Sequence, residues 1–339
     1  MGNPNQPKVT RKPTKISRKL FTGLVFAGIA FGILSLAYIP YPKPFEGEVT
    51  AEQLNFQVSD STNTEFLSFL NSIRKLQNLE IIGPHKLNLN CVNQTTTQIA
   101  SEVSTIQPAT DNSRIDLTQL KIPADTIVQL GYNDSLNQLD LRLNLPEIAS
   151  LELATDTNTS LDLMTEDGST STCEVDGSFQ QIEIADESEL YLALPSLEKT
   201  NTERWIWSDF GISKLSFFRL RETGIVGEEQ KISTLQTGKI RIDNQTLELK
   251  PQQFLIIDRG NIDCIRRVQL LKDGFTVSFR GKASKISAGI DETFPVETIE
   301  INYLSQIPPQ IVATLLSFIG AFVGYLVSAF LADSDRKSN

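Results

Sequence analysis

Two runs without a single charged side chain bracket this chain: LFTGLVFAGIAFGILSLAYI from Leu20 to Ile39, and IVATLLSFIGAFVGYLVSAFL from Ile311 to Leu331. Crossing a bilayer core takes about 20 helical residues, and soluble helices rarely stay uncharged that long. We therefore expect transmembrane helices over 20–39 and 310–331, leaving tails at 1–19 and 332–339 and a domain over 40–309.

The flanks set the orientation. Lys8, Arg11, Lys12, Lys15, Arg18 and Lys19 stand in the first tail with no acidic residue, which the positive-inside rule places in the cytoplasm. A second crossing returns the C-terminal tail to the same side, so the domain faces a periplasm, a lumen or the extracellular space. Ser35 and Ala37 also suit a signal-peptide cleavage site, but the apolar run exceeds the roughly 7–15 residues of such peptides.

Gly28 and Gly32 lie near the middle of the first run, and Gly320 and Gly324, continued by Ser328, near the middle of the second. Lipid supplies little drive for helices to associate, so small residues that let backbones approach mark packing faces. Antiparallel helices bring both pairs to one depth, and we expect a helix-packing contact there, within one chain or in a homo-oligomer. Neither run carries an ionisable group for an ion pathway.

Between the runs the period is two. RIDLTQLKI, LDLRLNL, FQQIEI, LYLAL, KIRI, LELK and FTVSF alternate apolar and polar residues between Gly, Asn, Asp and Pro, the pattern of half-buried antiparallel strands. Helical crossovers are missing, which argues against a parallel α/β sheet. We expect a mainly β domain, an antiparallel sandwich or jelly-roll-like body that divides into two units near 198–204. IEIADESELYLAL reads as a hairpin turning at Asp186 to Ser188, and KIRIDNQTLEL as one turning at Asp243 to Gln245. One short amphipathic helix is expected over 62–79, where Thr62 and Glu65 form a capping box and Phe66, Phe69, Leu70, Ile73 and Leu76 share a face.

Charge excludes some functions and suggests others. The chain carries −10 overall, and residues 143–198 hold thirteen acidic side chains and no basic one. Such a surface repels phosphate, so nucleic acid is not an expected partner. Within this block Asp156, Asn158, Ser160 and Asp162 offer oxygen at alternate positions, a weak calcium pattern without the glycine and terminal glutamate of an EF-hand. No cofactor is expected.

Catalytic signatures are sparse. His85 is the one histidine, and no GxSxG, HExxH, P-loop or GxGxxG pattern accompanies it. Trp205 and Trp207, the only tryptophans, share one face of an extended segment and form either a sugar-stacking platform or core. Cys91, Cys173 and Cys264 have no zinc or CxxC spacing, and either one disulfide or three buried thiols fits them. Asn93, Asn133, Asn158 and Asn244 head N-x-S/T sequons.

The expected function is that of a membrane-tethered, non-enzymatic binding or scaffold protein of a cell envelope. Its partners are the bilayer and another envelope protein or a glycan. The enzyme alternative is a membrane-anchored carbohydrate hydrolase using paired carboxylates in an open cleft.

Overall fold

The computed structural model describes residues 28, 32, 35–36, 38–59, 76–92, 94–110, 115–133, 138–165, 168–177, 180–195, 210–222, 229–271 and 274–335. They divide into two units, Pro42–Glu300 on the one hand and the chain ends Met1–Tyr41 with Ile301–Asn339 on the other.

The unit Pro42–Glu300 is β, and every pairing among its described strands is antiparallel. It opens with β1 (Lys43–Ala51) and β2 (Gln53–Val58). The long β3 (Asn78–Cys91) is followed by β4 (Gln94–Pro108), β5 (Ile115–Lys121) and β6 (Ile127–Asn133). Next come β7 (Gln138–Leu145), β8 (Ala149–Thr155) and β9 (Thr157–Thr165), and then β10 (Thr170–Asp176), β11 (Gln180–Ile184) and β12 (Ser188–Pro195).

These strands behave as four bent ribbons. β6, β5 and β4 pair with β7, β8 and β9 in turn, and those pair with β12, β11 and β10. β12, β11 and β10 then lie end to end along one edge of β3, whose other edge takes β4. The pairing thus returns to β3, and the disulfide Cys91–Cys173 joins β3 to β10 where it closes. Alternation fills the interior: Leu139, Leu141, Leu143 and Leu145 of β7, Leu151 and Leu153 of β8, and Leu161 and Leu163 of β9 are all buried.

The second part comprises β13 (Phe210–Ser216), β14 (Phe218–Glu222), β15 (Glu229–Ser233), β16 (Leu235–Ile242), β17 (Gln245–Leu249), β18 (Phe254–Leu271), β19 (Gly274–Gly289) and β20 (Pro295–Glu300). β18 covers one edge of β19, while β1 and β20 share the other edge end to end, so the chain enters and leaves this unit side by side. Residues Phe210 and Gly211 of β13 pair with β18, and Ile212 to Ser216 pair with β2. β13 is therefore the seam between the two parts. Phe45, Phe275 and Phe279 fill the core beside it.

The period-two segments become β5, β7, β11, β12, β16, β17 and β19. The Asp243 hairpin forms as read, with Ile242 opposite Gln245 across the turn Asp243–Asn244 and φ 53° at Asp243. The hairpin expected at Asp186 to Ser188 does not form. β11 and β12 run on in one direction along β3, which bulges at Gly83–Pro84 to meet the bend; Ala185 N–H donates to Pro84 O at 3.0 Å. Of the expected helix 62–79, residues 62–75 lie outside the described residues, and Asn78 and Leu79 already belong to β3. The expected division near 198–204 also lies outside them.

In the other unit Gly28, Gly32 and Ser35 are helical, and α1 runs from Pro309 to Asp335. The chain ends are stitched between these helices. Tyr41 N–H donates to Ile301 O at 3.0 Å, Tyr303 N–H donates to Ile39 O at 3.2 Å, and Pro40 bridges Asn302. Tyr41 and Tyr303 meet edge to face with centroids 4.7 Å apart.

Among the described residues no helix is long and apolar enough to cross a membrane. The α1 backbone itself runs 27 residues and contains the whole uncharged stretch Ile311–Leu331.

Candidate functional site

β2, β6 and β7 are neighbours, and register decides which of their side chains share a face. Asn55 stands opposite Gln129, and Ile127 stands opposite both Gln57 and Asn144. Opposed residues in an antiparallel pair point the same way. Because Leu54, Phe56, Val128 and Leu143 turn inward to the core, these amides and Ile127 are left on the outer face. They form the floor of an open cleft of about 740 Å³.

Its walls come from the second part of the unit: Lys214 of β13, Phe218 and Leu220 of β14, Lys231 of β15, Ile257 of β18, and Glu292 of the β19–β20 turn. Asn55 anchors one wall by donating from Nδ2 to Phe218 O at 2.6 Å. Lys231 ties two walls together, its Nζ lying 2.8 Å from Glu292 Oε2 and 4.7 Å from the Phe218 ring centroid. Both partners of that ion pair are partly exposed, so its net worth is about 0.5 kcal/mol, but it fixes geometry. Next to Glu292, Asp291 accepts hydrogen bonds from the Thr293 hydroxyl and from the Thr293 and Phe294 amides. Those bonds, the Thr293 hydroxyl first, hold the Asp291 carboxyl below its usual range.

The polar capacity of the floor is only partly used. Gln57 Nε2 donates to Asp125 Oδ1 at 3.0 Å, whereas Asn144 Oδ1 is buried without a hydrogen-bond partner. Ile127 and Leu220 remain 43% and 48% exposed on the cleft surface. Lys214 has no ion-pair partner among the described residues.

The residues singled out in the sequence lie elsewhere. Trp205 and Trp207 are outside the described residues. Asn158, Ser160 and Asp162 belong to β9 and Asp156 immediately precedes it. At about 3.3 Å per residue, an extended strand spreads them along its length rather than around one ion. Asp162 accepts from Thr172 Oγ1 at 2.8 Å, and no cluster of three His, Cys, Asp or Glu side chains suited to a metal occurs among the described residues. His85 sits at the β3 bulge, where Nδ1–H donates to Gly83 O at 2.8 Å. Burial, opposed by that weaker bond, pushes its pKa down.

Open space adjoins the glycines: a Cβ built on Gly28, Gly32, Gly320 or Gly324 meets nothing within 4 Å. Ser328 donates its hydroxyl to Tyr325 O at 2.8 Å, within its own helix. Cys91 and Cys173 form the disulfide, and Cys264 is a buried thiol that accepts from Arg280 Nε at 3.1 Å.

The two-acid arrangement of a glycoside hydrolase needs a pair of carboxyls across an open cleft, about 5–9 Å apart. The described lining offers one, Glu292, already held by Lys231. What the cleft does offer is amide, aliphatic and ammonium groups, a set suited to holding a ligand. No sequence motif announces it, because its residues come from seven strands and a turn scattered between Asn55 and Glu292. No family model, curated protein or solved structure matches the chain.

Proposed function

We propose that the chain is a membrane-tethered, non-enzymatic binding or scaffold protein, an accessory of envelope assembly or maintenance. It crosses the bilayer at 20–39 and 310–331, with both tails in the cytoplasm. The acidic β unit stands outside and presents the cleft, and its sandwich-like body is a rigid frame for that surface.

The surface of α1 carries the membrane reading. Ile311, Leu316, Phe318 and Val323 are 50–68% exposed on it, and its described serine and threonine hydroxyls turn back onto its own backbone. Thr314 donates to Gln310 O, Ser317 to Ala313 O and Ser328 to Tyr325 O. An apolar exterior with internally satisfied polar groups is what hydrocarbon demands of a helix and what water penalises. The disulfide Cys91–Cys173 supports an oxidising compartment for the β unit.

Alkaline carbonate extraction tests the anchor. Full-length protein should stay with the membrane pellet, whereas deletion of both 20–39 and 310–331 should release the β unit to the supernatant. Full release of the intact chain contradicts the proposal. For the scaffold role, crosslinking in native membranes should capture an envelope component that is lost when the cleft is altered by Leu220→Asp.

A further inference from the structure

The cleft restricts the chemistry of its occupant, and three ligand classes can be weighed against the same side chains. This step rests on the binding-module reading above. An acyl chain laid along the floor covers Gln57, Gln129 and Asn144 with groups that cannot hydrogen-bond, leaving polar atoms desolvated and unpaired. A sugar ring needs an open aromatic face. The described aromatic lining is Phe56, buried in the core at 2% exposure, and Phe218, which has the Lys231 ammonium 4.7 Å from its ring centroid.

An extended polypeptide meets neither obstacle. Its N–H and C=O groups pair with side-chain amides irrespective of sequence, and Gln129 and Asn144 present such amides on the cleft floor. Aliphatic side chains of such a segment cover Ile127 and Leu220, whose exposure is otherwise unfavourable. Charge selects further. Lys231 is neutralised by Glu292, whereas Lys214 has no such partner among the described residues. The described charged lining therefore nets +1 on a chain that nets −10. That local inversion of sign favours a carboxylate.

We infer that the cleft takes an extended segment of a partner protein that carries aliphatic side chains and an acidic residue. Asn144 and Gln129 hold the backbone of the segment, Ile127 and Leu220 cover its aliphatic side chains, and Lys214 reads its carboxylate.

The test uses the full chain in phosphatidylcholine nanodiscs and fluorescein-labelled hexapeptides of alternating glutamate and valine, or of alternating lysine and valine, read by anisotropy. The acidic peptide should bind and the basic one should not. Lys214→Glu should weaken binding by about tenfold or more, the loss expected for a charge-assisted hydrogen bond replaced by repulsion. Asn144→Leu should weaken it severalfold, and Lys239→Glu, remote from the cleft, should leave it unchanged. Equal binding of both peptides, or indifference to Lys214→Glu with the melting temperature preserved, overturns the inference. Should maltohexaose or oleate bind in a manner sensitive to Leu220→Asp while the acidic peptide does not, the peptide assignment fails and the binding-module reading stands. If no probe binds, both fall.

Discussion

The ring of Phe279 occupies the space that a side chain on Gly47 would need: a Cβ built there overlaps the ring edge and lies 2.9 Å from Ile240 Cδ1. Both residues belong to the β1–β19 pair, and Phe279 also contacts Phe45 and Phe217 edge-on or tilted at centroid distances of 6.2 Å. Gly47→Ala should therefore overpack the core and cost about 1–3 kcal/mol. Denaturant unfolding checks this, and an unchanged midpoint contradicts the packing described.

The Cys91–Cys173 bond closes a loop of 82 residues in sequence separation. Loop-closure entropy puts its contribution at about 4 kcal/mol. Cys91→Ser should lower the melting temperature markedly and abolish a mobility difference between reduced and non-reduced protein on gels. In the native, non-reduced protein a maleimide should label no cysteine; after unfolding without reductant it should label Cys264 alone. Labelling of Cys91 or Cys173 in that state rules the bond out.

His85 makes stability depend on pH. It is 4% exposed, its Nε2 has no hydrogen-bond partner, and burial sets its folded-state pKa below the ordinary 6.5. A depressed folded pKa means that the unfolded chain binds a proton the folded chain refuses. The contribution is thus complete above 6.5 and is lost as pH falls from 6.5 through the folded value. The slope is at most about 1.4 kcal/mol per pH unit for one group. His85→Asn retains a donor for Gly83 O without the titration, so its melting temperature should vary less between pH 7 and pH 5.5, an interval of about 1.5 units around that value. Equal slopes for the two proteins contradict this.

The strand body was legible because alternation is a local signal. Leu139, Leu141 and Leu143 face the core, Asp140 and Arg142 do not, and a period of two says so without knowledge of partners. The turn Asp243–Asn244 was legible for the same reason. The bend at Asp186–Glu187 misled, since Glu187 adopts φ 59° as a hairpin residue would. What makes it a kink instead is the bulge at Gly83–Pro84 on β3, a hundred residues away. β3 and β4 escaped notice because NLEIIGPHKLNLNC breaks its alternation at that bulge and QTTTQIASEVSTIQP is mostly polar. The cleft was illegible in principle: no short window contains Asn55, Gln129, Lys214 and Glu292 together.

Impermeant maleimide labelling of intact cells reads which side of the bilayer the β unit and the two tails occupy. In a Cys264→Ser background, single cysteines replace Asn5 in the first tail, the exposed Glu248 of β17, or Ser338 in the last tail. With the β unit outside and both tails in the cytoplasm, Glu248→Cys should be labelled in intact cells, and Asn5→Cys and Ser338→Cys only after permeabilisation. Protection of Glu248→Cys in intact cells, or labelling of either tail there, contradicts that topology.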